Sequence, residues 1–411
     1  SAEVRLELAT IAHATGALEA ARTHYEAVRA VRPGSAALLN NLAIVLLELG
    51  EAHAALDLLE QARALAPPSP ALRHTCSRAY TDLGRYAEAE TELRAEMAVT
   101  PDRPGLRFVL AELLLQQGKL DQAWERYEAR LERDDFIWGV KGLPRWDGSR
   151  RAGALRIITE QGLGDAMLFA RFVPLAAERV DRVQILCRPP LVRLLAASFA
   201  SPRVSVTSDS TLTPELDAHI HLLSLPFALG LGAAAAQPAS GYLHASAALA
   251  AEWRPHVAIH DGLRVGLMWR GNPDNLSDAR RSLPIEVAAR FGAVRDGVTW
   301  FNLQADADPE RPQPRPFPMI DHPLRDFADT AALIASLDLV VSVDSSVAHA
   351  AGAVGTPLWL VSRAAPGWRW RMGDRENPWY RDVTMFRPDA PREWAPVVER
   401  VIAALRSRAR P

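Results

Sequence analysis

Two turns and one basic segment carry the residues whose types and spacing can do chemistry. The first turn is Thr159-Glu160-Gln161-Gly162-Leu163-Gly164-Asp165-Ala166, between an apolar run ending near Thr159 and a helical stretch from Met167 to Glu178. Gly162 and Gly164 allow a ligand to approach the backbone, and Asp165 near a helix N-terminus would aim a carboxylate into a cleft. The same residue type is also a frequent helix cap. The second turn is Ser342-Val343-Asp344-Ser345-Ser346-Val347-Ala348-His349, an apolar strand running into hydroxyls and then a small-residue helix. The Ser345 and Ser346 hydroxyls and the free amides at a helix start suit a phosphate. His349, one turn later, can face that ligand or be a core imidazole bonded to Asp344 or to backbone. The basic segment is Trp269-Arg270-Gly271-Asn272-Pro273 followed by Arg280-Arg281-Ser282-Leu283-Pro284. Guanidinium forks match diphosphate oxygens, although an isolated arginine pair is more commonly solvated surface.

Other chemistries are poorly supplied. Gly118-Lys119-Leu120 fails the P-loop pattern, and Lys119 and Lys141 are the only lysines, which disfavours phosphate-cradle and Schiff-base reactions. Cys76 and Cys187 make no disulfide framework and no CxxC pair, so a reducing, cytoplasmic location is expected. Asp306-Ala307-Asp308 is the one Asp-x-Asp and lies in a loop rich in proline and acid, where a metal site is not expected. His219 and His221 alternate along a strand-like run without a third ligand, which favours ordinary polar contacts over zinc. With 47 Lys+Arg against 49 Asp+Glu, the net charge of -2 gives no general attraction to nucleic acid. The charge-free run Ala218 to Ala251 is broken by Pro226, Pro238 and three histidines, so no transmembrane span is expected.

The elements that must position these residues are of two kinds. Gly16, Gly50, Gly84 and Gly118 recur every 34 residues, and so do Pro33, Pro67 and Pro101. Ala21, Ala55, Ala89 and Ala123 keep the same period, as do Ala9, Ala43, Ser77 and Ala111. Small residues permit close helix crossing, left-handed glycines end one helix and prolines stop the next, so the unit is a helical hairpin. This pattern resembles the tetratricopeptide repeat, four copies over about residues 2 to 133. Such arrays hold a peptide or partner helix, or serve as spacers and dimer interfaces. Beyond Gly148 the period changes. Leu155–Thr159, Val183–Cys187, Val204–Thr207, Leu263–Trp269, Val298–Leu303, Leu339–Val343 and Leu358–Val361 read as strands between helices, hence parallel α/β layers with ligands at strand carboxyl ends. The expected divisions are a repeat array over 1–133, a packed linker over 134–150, and two α/β halves over 151–255 and 256–411. Trp368-Arg369-Trp370-Arg371 and Pro378-Trp379-Tyr380 read as packing between the halves, with stacking on a base or sugar as the alternative.

Taken together, Glu160 to Asp165, Gly266-Leu267-Met268-Trp269-Arg270-Gly271-Asn272-Pro273, Arg281-Ser282-Leu283-Pro284 and Ser342 to His349 resemble the bacterial tetratricopeptide-repeat glycosyltransferases. The catalytic half is similar to the heptosyltransferases. The resemblance covers nearly the whole chain, and it implies a GT-B fold in which two Rossmann-like halves face a cleft, the acceptor entering from the first half and a nucleotide-sugar donor lying on the second. Under it, Asp165 is the general base on the acceptor-side loop with Gln161, Gly162 and Gly164. Asp344, Ser345, Ser346 and His349 meet the donor's phosphate and sugar, His349 counting with Asp165 as catalytic, with Ser345-Ser346 where the family has Thr-Gly, and Arg281, Asn272 and Trp269 complete the donor site. The implied reaction is inverting transfer without a metal or resident cofactor, to a protein hydroxyl presented by the repeats. The alternatives are a saccharide or lipid-linked acceptor, or a repeat scaffold with a degenerate transferase half. Leu39-Asn40-Asn41-Leu42-Ala43 resembles a rung of the asparagine ladder of protein O-linked N-acetylglucosamine transferases, but Glu7, Thr75 and Val109 stand at the positions equivalent to Asn41.

Overall fold

The computed structural model describes residues 1–101, 103–132, 142–150, 153–272, 278–305 and 314–409. The chain divides into two compact units, 1–132 and 133–411. Among the described residues the first unit holds α1 (Ala2–Ala14), α2 (Leu18–Val31), α3 (Ala36–Leu49), α4 (Ala52–Leu65), α5 (Pro70–Asp82), α6 (Tyr86–Val99), α7 (Pro104–Gln116) and α8 (Leu120–Tyr127). They pair as four hairpins, and each hairpin packs on the next. The cause is the 34-residue pattern. The four periodic glycines have φ of 77°, 88°, 72° and 76°, the left-handed turn that reverses the chain. The second helices end at Val31, Leu65 and Val99, each two residues before a periodic proline. Ser35 and Ser69 cap α3 and α5 by accepting from the amides of Leu38 and Leu72.

All eight periodic small residues are buried, seven of them completely. Larger side chains there would push the paired helices apart. Thr75, at the position equivalent to Asn41, gives its hydroxyl to the carbonyl of Ala71 in its own helix, so no polar ladder continues through the third hairpin. The first hairpin repeats the apolar pattern of the others but exposes it. Val4, Leu8 and Ile11 lie open on α1, whereas their counterparts Leu38, Leu42 and Val45 are covered by the preceding hairpin.

The second unit contains two parallel sheets. The first, in the order β3-β2-β1-β4, is built from β1 (Ala154–Ile158), β2 (Arg182–Leu186), β3 (Val204–Thr207) and β4 (Leu216–His221). Its helices are α9 (Leu163–Phe169), α10 (Val173–Ala177), α11 (Val192–Ser198) and α12 (Leu225–Ala228). The described part of the expected linker runs beside β4: Pro144 and Trp146 exchange backbone hydrogen bonds with His219, and the imidazole of His219 bonds the carbonyl of Leu143. Residues 134–141 lie outside the described residues. Helix α13 (Ala247–Ala258) then leads into the second sheet, so the boundary expected between 255 and 256 falls inside a continuous helix.

The second sheet, in the order β11-β8-β7-β5-β6, comprises β5 (Leu263–Met268), β6 (Val298–Asn302), β7 (Leu339–Val343), β8 (Leu358–Val361) and β11 (Val383–Phe386). The short hairpin β9 (Arg371–Met372) and β10 (Arg375–Glu376) lies between β8 and β11. Helices α14 (Ile285–Ala288), α15 (Phe327–Ile334), α16 (Ser346–Val354) and α17 (Trp394–Arg408) complete this half. The final strand β11, absent from the sequence reading, exists because the chain leaves the sheet after β8, crosses to the first half and returns. On that excursion Trp368 and Trp379 pack their rings 6.1 Å and 6.0 Å from Phe169 of α9. Arg171, just beyond α9, donates to the Trp379 carbonyl at 2.7 Å and to the Tyr242 hydroxyl at 3.0 Å. The aromatic segment therefore is packing between the halves, as one of the two sequence readings has it.

Ala55→Leu tests the hairpin geometry. Its Cβ is fully buried at the α3–α4 crossing, and an overpacked crossing costs about 1–3 kcal/mol. The urea midpoint for loss of helical circular dichroism should fall by the corresponding amount, while Glu60→Leu on the exposed side of α4 should leave it in place.

Candidate functional site

The carboxyl ends of β1, β5 and β7 meet at one cleft of about 430 Å³ inside the second unit. Parallel sheets leave such crevices where successive strand-to-helix turns diverge. From the first half the turn after β1 supplies Gly162, Gly164 and Asp165 to the wall, and the end of β2 supplies Arg188. From the second half come Met268, Gly271, Asn272 and Arg281 after β5, and Asp344, Ser345, Ser346 and His349 after β7. Residues separated by up to 207 positions, from Gly162 to Arg369, thus share one cavity.

The first turn differs in detail from the sequence expectation. The helix starts at Leu163 instead of Met167, because Gly162 is its extended N-cap and Gly164 lies within the first turn. Asp165 is consequently not the cap: its Oδ2 accepts from the Gly162 amide at 3.1 Å, reaching back from the third helical position. Its Oδ1 accepts from Arg369 Nε, and the same guanidinium donates to Gln161 Oε1 at 3.0 Å. Gln161 adopts φ 58°, a left-handed conformation unusual outside glycine, and this fork helps to hold it there.

The second turn makes a helix N-terminus. Ser345 caps α16 by accepting from the Ala348 amide at 3.3 Å and lies 3.0 Å from the Ser342 hydroxyl, so it is committed to the fold. Ser346, half-buried at the first helical position, lines the cavity. Asp344 Oδ1 accepts from the Trp370 indole at 2.8 Å. His349 is buried; its ring stacks on Trp370 at 4.6 Å, and its Nδ1 lies 2.8 Å from the Tyr380 hydroxyl. That partner is neither of the two, Asp344 or backbone, that the local sequence suggests. Burial pushes the imidazole down to about 4, against the pull of the Asp344 and Asp165 charges, so the ring is neutral at physiological pH.

Arg281 is anchored by Asp278 at 3.2 Å and crosses Gly271, where any Cβ would lie 2.7 Å from its Nη2. Two expected site residues do not line the cleft: Gln161, which reaches it only through its bond to Arg369, and Trp269. Trp269 lies in the core. It is 2 % exposed and belongs to the core cluster with Val265 and Leu267. The reason is strand alternation: Val265, Leu267 and Trp269 point to one face, and Met268 between them points to the cavity. Arg369 and Arg188 are functional candidates that sequence reasoning missed. Arg188 is exposed and forms no ion pair among the described residues, whereas Arg281 and Arg369 each hold a carboxylate. Asp306 and Asp308 lie outside the described residues, as does Pro273. Among the described residues no group of three acidic, histidine or cysteine side chains is placed to hold a metal.

The tetratricopeptide-repeat family profile matches residues 46–98. The first unit carries tetratricopeptide repeats. Protein FlbA of Caulobacter vibrioides is 29% identical over 331 residues, covering 72% of this chain and 54% of FlbA. The chain therefore spans about half the length of this curated relative, and it is a tetratricopeptide-repeat protein similar to FlbA. Solved structures similar to it include MamA, at 18% identity and TM-score 0.29 over 32% of this chain and 72% of that one. YrrB, a tetratricopeptide-repeat protein with a peptide-binding site, gives 19% and 0.29 over 33% and 70%. The repeat unit is thus joined in one chain to a second unit of two Rossmann-like parallel sheets. No described helix is long and apolar enough to cross a membrane.

The neutral, buried imidazole has a consequence for acid stability. The unfolded chain takes up a proton on this ring below its ordinary value of 6.5, whereas the folded protein resists until about 4. Stability contributed by neutral His349 is therefore intact above pH 6.5 and is lost as pH falls towards 4, by about 3 kcal/mol at 1.36 kcal/mol per pH unit. His349→Asn should flatten the dependence of the unfolding midpoint on pH between 6.5 and 4, relative to the parent protein. An unchanged slope would show that the ring is not held neutral by burial.

Proposed function

We propose that the second unit is a glycosyltransferase of the GT-B type, moving a sugar from a nucleotide-sugar donor to an acceptor hydroxyl with inversion. The observation that carries the reading is the convergence of two strand-to-helix turns, one from each sheet, on a single cleft. One turn presents the carboxylate of Asp165, the other presents Ser346 and the amides of α16, and the segment after β5 adds Arg281 beside them. Opposed base and anion-binding walls are what a single displacement needs: one removes the acceptor proton while the other receives the departing diphosphate. The cleft volume is within the range that holds a small-molecule substrate.

Asp165 begins with Arg369 on Oδ1 and the Gly162 amide on Oδ2. For Asp165 to accept a proton, Arg369 turns from the carboxylate to the incoming phosphates. This couples donor entry to exposure of the base: the guanidinium exchanges one anion for another, and the carboxylate is released only when the donor is bound. Asn272 and Arg281 line the donor side, and Arg188 offers a further positive charge from the acceptor wall. The fused repeats support a protein as acceptor, since their superhelices recruit peptides and partner helices.

A thermal-shift panel of UDP, GDP, CMP and ADP, followed by mass spectrometry of candidate acceptor proteins with the matching nucleotide sugar, tests this reading. One nucleotide should raise the unfolding temperature, and Arg281→Ala should weaken its binding by about tenfold. Asp165→Asn should slow transfer by at least about 100-fold, far more than it alters nucleotide affinity. Transfer to a saccharide alone would replace the protein acceptor. No response to any nucleotide would sink the transferase and leave a repeat scaffold.

A further inference from the structure

The hydrogen bond between His349 Nδ1 and the Tyr380 hydroxyl, 2.8 Å long, decides what His349 can do in the cleft. It can be made by the phenol donating to the ring or by the ring donating to the phenol. The surroundings favour the first. Tyr380 is buried, and the Arg171 guanidinium, which has donors only, lies 5.2 Å from its ring centre. Arg171 also donates to the neighbouring Tyr242 hydroxyl, which faces the Leu168 carbonyl at 3.5 Å and hydrogen-bonds the Tyr380 hydroxyl. With a guanidinium donor already on its oxygen, Tyr242 turns its own proton to Tyr380, which leaves the Tyr380 proton for His349. A phenol is the stronger acid of the pair and an imidazole nitrogen the stronger base, so O–H···N is the better bond. The opposite edge of the ring, Cδ2 and Nε2, faces Gly164 on the wall of the cleft, where a Cβ would stand 2.6 Å from Cδ2 and 3.4 Å from Nε2. Among the described residues, Nε2 has no hydrogen-bond partner.

We propose that Tyr380 fixes His349 as the Nε2–H tautomer, so that His349 is a neutral hydrogen-bond donor to a phosphate oxygen of the substrate and not a general base. Tyr380 is a positioning residue; it reaches the substrate only through His349. The inference rests on the glycosyltransferase reading for the identity of the phosphate, but the tautomer stands independently of it. It assigns proton abstraction to Asp165 alone. Gly164 is part of the same device, because a side chain there would collide with the donor edge. Trp370 stacks on the ring and donates to Asp344, which holds the plane of the imidazole relative to the N-terminus of α16.

The test uses the full chain labelled with ¹⁵N-histidine, with the His349 resonances identified by their loss in His349→Ala. At pH 7.5 the ring should show a protonated Nε2 and an acceptor-type Nδ1, and inorganic pyrophosphate should shift the Nε2 signal. A proton on Nδ1, or an Nε2 unaffected by saturating pyrophosphate, would overturn the proposal. Tyr380→Phe should mix the two tautomers and weaken pyrophosphate binding by about tenfold. A tyrosine that only fills space would leave the tautomer in place in this variant. Should Tyr380→Phe not fold, the pair His349→Ala and His349→Gln decides the matter. Glutamine carries an N–H near the ε position, so it should recover most of the affinity that alanine loses, and equal losses in both would count against a donor role. An Nε2–H ring that responds to pyrophosphate in a protein that transfers no sugar would defeat the transferase reading while leaving this inference intact. Sugar transfer by a protein with an Nδ1–H ring would do the reverse.

Discussion

The close approach of α9 and α16 is the constraint on which the candidate site depends. Two helices from different sheets meet where Gly164 of α9 lies against His349 of α16, and Gly352 on α16 lies against the ring of Tyr380 from the segment before β11, each glycine having no room for a Cβ. The approach sets the spacing between the carboxylate wall and the anion-binding wall. It also removes water from His349, which is why the ring is neutral and why its one internal partner governs its protonation pattern. A wider crossing would hydrate the imidazole, separate Asp165 from Arg369 and open the cleft towards solvent.

What holds the two helices together is not the sheets, which are separate, but the aromatic excursion between β8 and β11. Trp368 and Trp379 pack on Phe169, and Arg171 clamps the Trp379 carbonyl beneath Tyr242 and Tyr380. The same short segment places Arg369 on Asp165 and Trp370 on Asp344. Alternation explains the double use: within Trp368-Arg369-Trp370 the two indoles are buried and the arginine between them is directed to the cleft. Packing and chemistry are therefore neighbours along the backbone, and a substitution that loosens the tryptophans also misplaces a cleft guanidinium.

The repeat unit was almost wholly legible in the sequence because its signals are local and periodic: glycine, proline and small residues mark turn, stop and crossing at one spacing. The seven strands read from β-branched runs were legible for a similar reason, since runs such as β1 and β7 are buried at every position and hence largely apolar. The start of α9 was not, since Gly162 and Gly164 are indistinguishable in sequence from loop glycines and only their packing shows that a helix runs through them. Trp269 was placed in the site because it adjoins Arg270 and Asn272, but neighbours on a strand face opposite ways. Arg369 lies 204 residues from Asp165, and no spacing rule connects them. Arg188 and Tyr380 were hidden likewise, one at the end of a strand in the other half and one in a segment read as packing between the halves or as a stacking surface for a base or sugar.

The charges of the cleft give the arrangement a direction. Three guanidinium groups, of Arg188, Arg281 and Arg369, face two carboxylates, Asp165 and Asp344, with Asp278 behind Arg281. Two of the arginines and both cleft carboxylates are already bonded within the protein, and among the described residues Arg188 forms no ion pair. An anion entering the cleft meets Arg188 and the α16 amides without breaking any existing pair, and only deeper insertion requires Arg369 to leave Asp165. Under the proposed transferase reading, binding is ordered by electrostatics: the contacts that cost no rearrangement come first, and the one that uncovers the carboxylate comes last. A neutral His349 fits this order, because a fourth positive charge beside Arg369 would compete for Asp165 and hold it shut, whereas a neutral donor adds a directed hydrogen bond without altering the balance.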